Sequence, residues 1–474
     1  MRTAYRSIGL LLLSLLLASC AFKAPGEVTP LSGLPDQFHL DQETTRDTRG
    51  AWWLAFDDPA LHALIDEALL QNLELEQSLA RLKQAEALLR SANASRLPTL
   101  TASGEATKSS QPSLAGDVEG ETSNISVAAA FELDLWGKNT ARSRGTRLDQ
   151  QSSREAFKAL LLTLSARVAD AYYLVIEQRA QLQLAEQSID AYRDSLEMVE
   201  TRYRNGLVPA VDLYQARQNL ASARATREAR ATAMKSAEHA LAVLVGRYPG
   251  DEIAGTLTEL PSPPVAFPTG LPSELLTRRP DLQAALMRVQ ATDSRRAAAI
   301  ADRFPSINLL GSYGSSRSTF SVPTLEGEFW NLLAGVTLPL IDGGRRRAEV
   351  SRQEALLDES LARYRQAVLV AFQEVEDALV RNRNDELRLE YLEAAEEAAA
   401  ASLRLSLERY RYGLSEYLPV ITAQVFHFQI QGNLLSARRQ LLADRISLAR
   451  ALGGEWLEAA TESRITSNDK DQEP

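Results

Sequence analysis

The chain contains Arg202-Tyr203-Arg204-Asn205-Gly206-Leu207, and the pattern returns 207 residues later as Arg409-Tyr410-Arg411-Tyr412-Gly413-Leu414. Two further anchors share this offset: Arg96-Leu97-Pro98 with Arg303-Phe304-Pro305, and Gly104 with Gly311. Residues 61–246 and 271–453 are therefore two copies of one pattern. A duplication of this length predicts one structural unit built twice around a pseudo-symmetry axis.

Each copy is predicted to contain a helix, two strands and a long helical hairpin. The predicted elements of the first copy, residues 59–260, are a helix over 59–95, strands 97–108 and 123–135, a Ser/Gly/Pro-rich loop at 109–121, and helices 139–204 and 210–246. Those of the second copy, residues 261–454, are a helix from Pro272 to before Pro305, strands 304–316 and 329–340, and helices 344–411 and 417–452. A proline after each first helix stops helical pairing and opens an extended segment.

The predicted strands alternate between apolar and polar residues. Ile125, Val127 and Ala129 share one face of the second strand, and Trp330 and Leu332 share one face of the fourth. Outer-membrane β-barrels use strands of about 9–11 residues with this alternation. A half-buried sheet in a soluble domain shows the same alternation, so the pattern alone leaves both structures open.

Two segments lack helix-breaking residues over an unusual length. In the first, no proline lies between Pro112 and Pro209, and no glycine lies between Gly145 and Gly206. In the second, no proline lies between Pro339 and Pro419, and no glycine lies between Gly344 and Gly413. A helix of about 65 residues is about 100 Å long, and its heptad-spaced apolar stripe needs a partner helix along its whole length. The next helix supplies that partner. Each copy is therefore predicted to form a hairpin, with Gly206 or Gly413 at a helix C-terminal position of positive φ.

The N-terminus resembles a bacterial lipoprotein signal. Basic residues precede the apolar segment Ile8–Leu17, which is too short to span a bilayer as a helix, and Leu17-Ala18-Ser19-Cys20 resembles a lipobox. We expect a signal peptide over residues 1–19 and a lipidated extension over 20–58, with diacylglycerol and an N-acyl chain on Cys20, the single cysteine. An ordinary signal that ends by chance in a cysteine is the alternative.

Composition and motifs disfavour nucleic-acid binding and catalysis. The formal net charge is −10, which opposes nucleic-acid binding. The four histidines lack metal-ligand spacing, so no metal site and no catalytic residue is predicted. The basic run Asp342–Arg347 and the segment Trp136–Lys138 are expected to be turns facing solvent or lipid headgroups. The polar residues 455–474 are expected to be a disordered tail after the second copy.

Hydrogen bonding determines what four such strands can do in lipid. Every backbone polar group in the hydrocarbon must be paired, so a membrane sheet must close. Closed bacterial barrels contain about eight or more strands. The chain must therefore share one barrel with copies of itself.

The layout and motifs resemble the TolC-like outer-membrane factors, in particular the lipoprotein branch that serves multidrug efflux pumps. The motifs are Phe131–Lys138, Arg409–Leu414 and Ala451–Trp456, and the resemblance extends over nearly the whole mature chain. It implies a mostly α fold with a transmembrane β-barrel contribution, in which a homotrimer joins a twelve-stranded barrel to a twelve-helix periplasmic α-barrel. It also implies a periplasmic membrane-fusion adaptor, an inner-membrane pump of the resistance-nodulation-division type, contact with outer-membrane lipid, and no cofactor beyond the lipid on Cys20.

The resemblance also implies functional residues at the hairpin tips. Adaptor docking is expected at Arg202, Tyr203, Gly206, Leu207, Arg409, Tyr410, Gly413 and Leu414. Family members close the periplasmic end with a leucine after the second tip, which Leu418 matches, and with aspartates, whose positions here hold Pro419 and Thr422. Asp212 and Glu416 could supply acidic charge nearby in place of those aspartates. The gate candidates are therefore Asp212, Glu416, Leu418 and Thr422. Hairpin packing is the alternative role for Leu418. For Arg409 and Tyr410, two roles are possible: a hydrogen-bonded lock between neighbouring hairpins, and capping of helix carbonyls at the tip.

These observations predict an outer-membrane exit channel of a tripartite efflux pump, lipid-anchored and extending into the periplasm. It would conduct drugs or other small molecules to the exterior and be gated by iris-like opening of the tips. A type I protein-secretion duct and a periplasmic coiled-coil scaffold lipoprotein are the alternatives, and no residue constellation supports an enzyme. The sequence leaves open the cargo, the identities of adaptor and pump, the presence of an acidic ring at the gate, and which hairpin moves.

Overall fold

The computed structural model describes residues 37–39, 51–113, 116–250, 259–265, 267, 269, 272–320, 324–454 and 456–470. The predicted signal peptide and the lipidation of Cys20 lie outside these residues. The chain divides into two compact units. The strand unit contains the described residues of Arg81–Arg154 and Ala284–Gln366, and the helical unit contains those of Gly33–Ala80, Glu155–Gln283 and Ala367–Pro474.

The described elements follow the predicted order of helix, strand pair and long hairpin, twice. After a short 3-10 helix at Trp52–Phe56, the helices are α1 Pro59–Gln71, α2 Leu73–Ala94, α3 Lys138–Arg204, α4 Ala210–Val245, α5 Pro272–Arg278, α6 Pro280–Ala301, α7 Arg345–Arg411, α8 Leu418–Leu452 and α9 Leu457–Lys470. The strands are β1 Thr99–Ser113, β2 Gly116–Leu133, β3 Ser306–Phe320 and β4 Thr324–Thr337. The four long helices begin and end within one residue of the bounds expected from the sequence.

The 207-residue offset holds in the structure as well as in the sequence. α3 and α7 each contain 67 residues, and both ends of α7 lie 207 positions after those of α3. α6 likewise begins and ends 207 positions after α2. Each position in one long helix therefore has a defined equivalent in the other.

The strands form one antiparallel sheet in the order β1-β2-β3-β4. β2 pairs with β3, so the central pairing joins the two copies. Val127 lies opposite Tyr313, which in turn lies opposite Trp330. Because side chains alternate along a strand, the apolar faces predicted for the two copies lie on the same side of the sheet.

That apolar face is uncovered. Trp330 is 77% exposed and Leu332 is 80% exposed. A half-buried sheet of a soluble domain would pack such residues against another layer. The strand unit has no such layer among its described residues, because Ile125 and Leu100 on the neighbouring strands are exposed as well.

Four expectations about local structure were wrong. Within the loop predicted at 109–121, residues 109–113 and 116–121 are strand, since pairing of β1 with β2 continues to Ser113 opposite Gly116. The single helix predicted over 59–95 breaks at Asn72, whose Oδ1 accepts hydrogen bonds from the amides of Glu74 and Leu75 at 2.9 Å and 3.0 Å and caps α2. The helix predicted from Pro272 breaks likewise, between α5 and α6.

The fourth error concerns the expected disorder of residues 455–474, because the described part of this segment is helical. α9 occupies Leu457–Lys470, and Leu457 and the preceding Trp456 are buried. The rings of Trp456 and Trp53 lie 4.7 Å apart in an edge-to-face arrangement, which adds to the stability gained from burying them. The polar composition favours disorder, but the burial of Trp456 and Leu457 stabilises the start of this segment as a helix.

Two glycines show the repeat at the level of packing. Gly246 ends α4 and Gly453 ends α8, with φ of +87° and +76°. A Cβ on Gly246 would lie 2.7 Å from the carbonyl oxygen of Gln71, and one on Gly453 would lie 2.7 Å from that of Arg278. Both positions therefore require glycine for the same reason in both copies.

A polar cluster is buried between α7 and α8. Asp444 accepts a hydrogen bond from Gln440 at 3.1 Å and lies 3.8 Å from the Arg381 guanidinium. Burial raises the pKa of Asp444 to about 7, and the neighbouring Asp385 carboxyl adds to the shift. Asn382 donates to the Asp444 carbonyl at 3.1 Å, so the cluster ties the two helices of the second hairpin together.

Candidate functional site at the hairpin tips

Each helical hairpin reverses through a glycine at its tip. α3 ends at Arg204, and Gly206 has φ of +68°, a conformation that L side chains rarely adopt. The Gly206 amide donates to the carbonyl of Tyr203 at 2.9 Å, and the Leu207 amide donates to that of Arg202 at 2.9 Å. This pair of bonds is a Schellman motif, which satisfies the last helix carbonyls and turns the chain.

The second tip repeats the turn. Gly413 has φ of +72°, its amide donates to the Tyr410 carbonyl at 3.0 Å, and the Leu414 amide donates to the Arg409 carbonyl at 2.8 Å. The prediction of a positive φ at both tip glycines is confirmed. Leu207 and Leu414 have exposed side chains, so neither leucine is used in packing its own tip.

Behind the turns the two hairpins share a small apolar core, the tip cluster. Its buried members are Val199, Leu213 and Ala216 of the first hairpin and Tyr410, Tyr417 and Val420 of the second. The rings of Tyr410 and Tyr417 lie 5.4 Å apart at 47°, a tilted arrangement that aromatic pairs favour. Packing within one chain therefore holds the two tips together.

Arg202 joins the tips across this cluster. Its guanidinium carbon lies 4.3 Å from the centre of the Tyr410 ring, and its Nη2 donates to the Arg411 carbonyl at 2.9 Å. The stacking contributes about 0.5–1 kcal/mol at a site this open, and the hydrogen bond contributes about 1 kcal/mol. We call this pair of contacts the tip lock.

Within one chain, the cation of the lock is Arg202 rather than Arg409, the residue singled out from the sequence. Arg409 is exposed, and its side chain makes no ion pair or hydrogen bond with the described residues of its own chain. Tyr203 is 42% exposed, whereas Tyr410 is 1% exposed. The structure thus separates the four arginine and tyrosine residues of the two tip motifs into a pair engaged inside the chain, Arg202 and Tyr410, and a pair left exposed, Tyr203 and Arg409.

The tip cluster carries no ionised side chain near neutral pH. Burial raises the pKa of the Tyr417 hydroxyl, and the neighbouring Tyr410 raises it further. Burial also raises the pKa of Tyr410, although the Arg202 charge opposes the shift. Both hydroxyl oxygens are buried, and neither lies within normal hydrogen-bond distance and angle of a partner in the described part of the chain.

Polar contacts continue from the tip cluster along α3 and α8. The Gln424 side-chain amide donates to the Ser195 hydroxyl at 2.8 Å. Farther along, the Gln181 side-chain amide donates to the Gly432 carbonyl at 2.8 Å. We call this contact between α3 of the first hairpin and α8 of the second the internal seam.

The gate candidates lie at the exposed side of the tips. Leu418 is 60% exposed, so packing inside the hairpin does not account for it. Thr422, one turn later, is also exposed, and its hydroxyl donates to the Leu418 carbonyl at 3.0 Å. Burial raises the pKa of Asp212, and the negative charge of Glu416 adds to the shift. The structure therefore brings Asp212 and Glu416 together and places Leu418 and Thr422 on one helix face.

The turns between strands and helices have structural roles. Asp342 accepts hydrogen bonds from the amides of Gly344 at 3.0 Å and Arg346 at 3.3 Å, at the start of α7. Burial opposes ionisation of Asp342, but these bonds and the Arg346 charge outweigh it and lower its pKa. The Trp136 ring nitrogen donates to the Pro305 carbonyl at 2.6 Å.

No group of three or more His, Cys, Asp or Glu side chains that could hold a metal occurs among the residues that the structure describes. His62 Nε2 lies 3.1 Å from the Trp53 carbonyl oxygen, and the His427 ring packs 5.5 Å from that of Phe428. These histidines therefore have packing roles.

A family model described as "Outer membrane efflux protein" matches residues 64–247 and 271–454. The chain belongs to this family. The predicted resemblance to the TolC-like outer-membrane factors is thereby confirmed. The two matched ranges lie almost entirely within the two copies of the repeat, so the tips of both hairpins fall inside the family match.

Individual relatives of this outer membrane efflux protein match it over nearly their full length. Outer membrane protein OprJ of Pseudomonas aeruginosa is 32% identical over 472 residues, covering 96% of this chain and 97% of the relative. Cation efflux system protein CusC of Escherichia coli is 31% identical over 460 residues, covering 94% and 97%. A structure of the open state of the Neisseria gonorrhoeae MtrE outer membrane channel has a TM-score of 0.78 and 27% identity, covering 91% of this chain and 98% of that one.

Membership fixes the class and the location of the protein. It is an outer membrane protein of an efflux family, and the family is one of channels rather than enzymes. The sequence singles out the tip glycines and leucines and Tyr410, and their role in docking or gating stays a prediction. It missed Arg202 as the partner of Tyr410, and the only available signal was the recurrence of Arg-Tyr at both tips.

Proposed function

We propose that three copies of this chain form the exit channel of a tripartite efflux pump, conducting drugs or other small molecules from periplasm to exterior. The open sheet carries the proposal: β1 and β4 are edge strands, and the apolar face is uncovered. In lipid the edge groups must be paired. Pairing β4 of one copy with β1 of the next gives, from three four-stranded sheets, one closed barrel of twelve strands.

The helical hairpins of the three copies form the periplasmic conduit. Apart from Tyr203, no large apolar side chain of α3 is exposed, whereas α7 leaves apolar side chains exposed at Leu356, Leu369, Val380 and Leu387. A long amphipathic helix with an uncovered stripe needs a partner helix. A hairpin of the neighbouring copy supplies it and completes a tube of twelve long helices.

The tips form the gate. In the closed channel the tip lock holds the hairpins of each chain together, and Leu418 and Thr422 face the narrowed opening with Asp212 and Glu416 beside it. Opening requires the tips to separate, which a partner can drive only by binding the separated form more tightly. The opening contains an apolar constriction at Leu418 and acidic charge from Asp212 and Glu416.

The adaptor docks on the exposed tips. Leu207 and Leu414 follow rigid Schellman turns and are uncovered in the chain, as apolar anchors of a binding surface are before the partner arrives. The partner is a periplasmic membrane-fusion adaptor that connects the channel to an inner-membrane pump of the resistance-nodulation-division type. Lipid on Cys20 anchors the mature chain to the outer membrane and supplements the barrel.

Two measurements test the proposal. Outer membranes run on denaturing gels without heating should show an oligomer that heating converts to monomer. Release of the protein by removing the lipid anchor alone would instead favour a periplasmic scaffold. Accumulation of a dye panel should rise in a deletion strain. Unchanged dye levels with a missing secreted protein would favour a protein-secretion duct.

A further inference from the structure

A basic cavity lies in the strand unit, where the helices α3 and α7 begin. Its volume is about 460 Å³, which is the size of a site for a small organic molecule. Four arginines from three helices line it, namely Arg142 of α3, Arg295 of α6, and Arg345 and Arg346 of α7. We call it the arginine cavity.

The two carboxylates that line the arginine cavity are already engaged. Asp302 accepts a hydrogen bond from Arg346 at 3.2 Å. Glu349 accepts hydrogen bonds at 2.7 Å and 2.8 Å from Arg352, which does not line the cavity. These bonds lower the pKa of Glu349 to about 2, so its charge is present at every physiological pH and is balanced by Arg352.

Two of the arginines have no counter-charge. Arg295 is paired with Asp149, but Arg142 and Arg345 are exposed and make no ion pair or side-chain hydrogen bond with the described residues. The helix dipole disfavours a cation in a first turn, so stabilisation of α7 does not account for Arg345, its first residue. Both guanidinium groups keep their paired donors, which match the oxygens of a carboxylate or phosphate.

The fold does not require these arginines. The other copy of the repeat holds different residues at the positions equivalent to the four, which are, in chain order, Glu349, Leu88, Lys138 and Asn139. Three of these residues are uncharged or acidic. The cluster therefore belongs to this one cavity and is not a consequence of the repeated architecture.

Ion pairs connect the arginine cavity to the polar face of the sheet. Glu132 is five positions after Val127 in β2, so the two side chains lie on opposite faces. Lys138 lies 2.5 Å from Glu132 and 3.7 Å from Asp302 of the cavity. In a closed barrel the apolar face meets lipid, so the polar face and the cavity beside it both face the interior.

We propose that the arginine cavity binds small organic anions on their way through the channel, with Arg142 and Arg345 holding the carboxylate or phosphate oxygens. This inference rests on the proposed function and names a class of cargo for it. Three copies place three such cavities in one ring. Because the chain as a whole has a formal net charge of −10, which repels anions, a local cluster of arginines is needed to admit them.

Dye binding to the purified full-length protein in detergent tests the site. The fluorescence anisotropy of carboxyfluorescein should show saturable binding at low salt, and Arg142→Gln/Arg345→Gln should weaken it at least about tenfold. The matched control is Arg144→Gln/Arg347→Gln, which removes the same charge from exposed arginines two positions away, outside the cavity. Its affinity should stay within about twofold, because exposed charges are screened.

Each outcome of the binding test decides. Equal weakening by the two double variants would show only a general effect of charge, and it would overturn the proposal. So would unchanged binding in Arg142→Gln/Arg345→Gln, or no binding by the unsubstituted protein. The substituted arginines have no partners in the chain, so both variants should fold, and thermal unfolding followed by circular dichroism checks this.

Ion selectivity tests whether the cavity lies in the conduit. In planar bilayers under a potassium chloride gradient, Arg142→Gln/Arg345→Gln should move the reversal potential towards that of potassium, because each copy loses two cations from the interior. The control variant should match the unsubstituted channel. A conducting test variant with an unchanged reversal potential would overturn this inference and leave the channel standing, whereas an unsubstituted protein that never conducts would refute the proposed function itself.

Discussion

Replacing Arg202 with alanine should weaken the closed state of the channel. The substitution removes the guanidinium that stacks on Tyr410 at 4.3 Å and donates to the Arg411 carbonyl at 2.9 Å. Cation stacking at an open site is worth about 0.5–1 kcal/mol, and the hydrogen bond adds about 1 kcal/mol. Three copies together lose about 5 kcal/mol of preference for closed tips, which corresponds to a change of about 4,000-fold in the open-to-closed ratio.

Single-channel recording in planar bilayers measures this change. Arg204→Ala is the matched control, because Arg204 is also a cation in the last turn of α3 but only approaches Glu200, at 3.7 Å. Both variants lose the same interaction with the helix dipole, so a difference between them reports the tip lock. We expect frequent long openings in Arg202→Ala and resting behaviour in Arg204→Ala. Identical traces for the two variants would show that the tip lock does not hold the channel closed.

Three further predictions concern the gate, the helix ends and the buried cluster. Leu418→Ser should raise resting conductance in planar bilayers, whereas Leu418→Met should not, because only serine removes apolar bulk from the constriction; unchanged conductance in both would remove Leu418 from the gate. Gly453→Ala should lower the free energy of unfolding by about 1–3 kcal/mol, because its Cβ would lie 2.7 Å from the Arg278 carbonyl at a φ of +76°. Gly335→Ala, with no atom within 4 Å, is the control in thermal unfolding followed by circular dichroism. The pKa of Asp444 is raised to about 7, so its contribution to stability is present below about pH 4 and is lost as pH rises through 7. Asp444→Asn should flatten the thermal stability curve over that pH range, and an unchanged slope would show that Asp444 does not titrate there.

The repeat was the part of the fold that the sequence determined best. The turns at Gly206 and Gly413 need a positive φ at a helix end. This requirement is local, so a glycine at the end of a helical pattern indicates it in the sequence. The apolar alternation of Ile125, Val127 and Trp330 is equally local, and the sheet register places these residues on one face. Patterns of this kind are readable because they depend only on neighbouring positions in one element.

The errors arose where a distant contact decided the outcome. The composition of Ser109–Glu121 predicts a loop, yet pairing between β1 and β2 extends to Ser113 opposite Gly116, because strand pairing depends on the partner strand as much as on propensity. The break at Asn72 is stabilised by its side-chain donation to the Leu244 carbonyl at 2.9 Å, 172 residues away.

The candidate site shows the same limit. The sequence pointed to Arg-Tyr at both tips, but it could not show which arginine meets which tyrosine. That choice depends on the packing of the two hairpins against each other, which brings Arg202 at the end of α3 to Tyr410 at the end of α7 over more than 200 residues of chain.

Native mass spectrometry of the detergent-extracted protein measures the oligomeric state directly, and a closed twelve-stranded barrel requires three copies. We expect one dominant particle with three mature chains, each carrying the added mass of the lipid on Cys20. A particle that is monomeric under conditions where the strands stay folded would rule out the shared barrel.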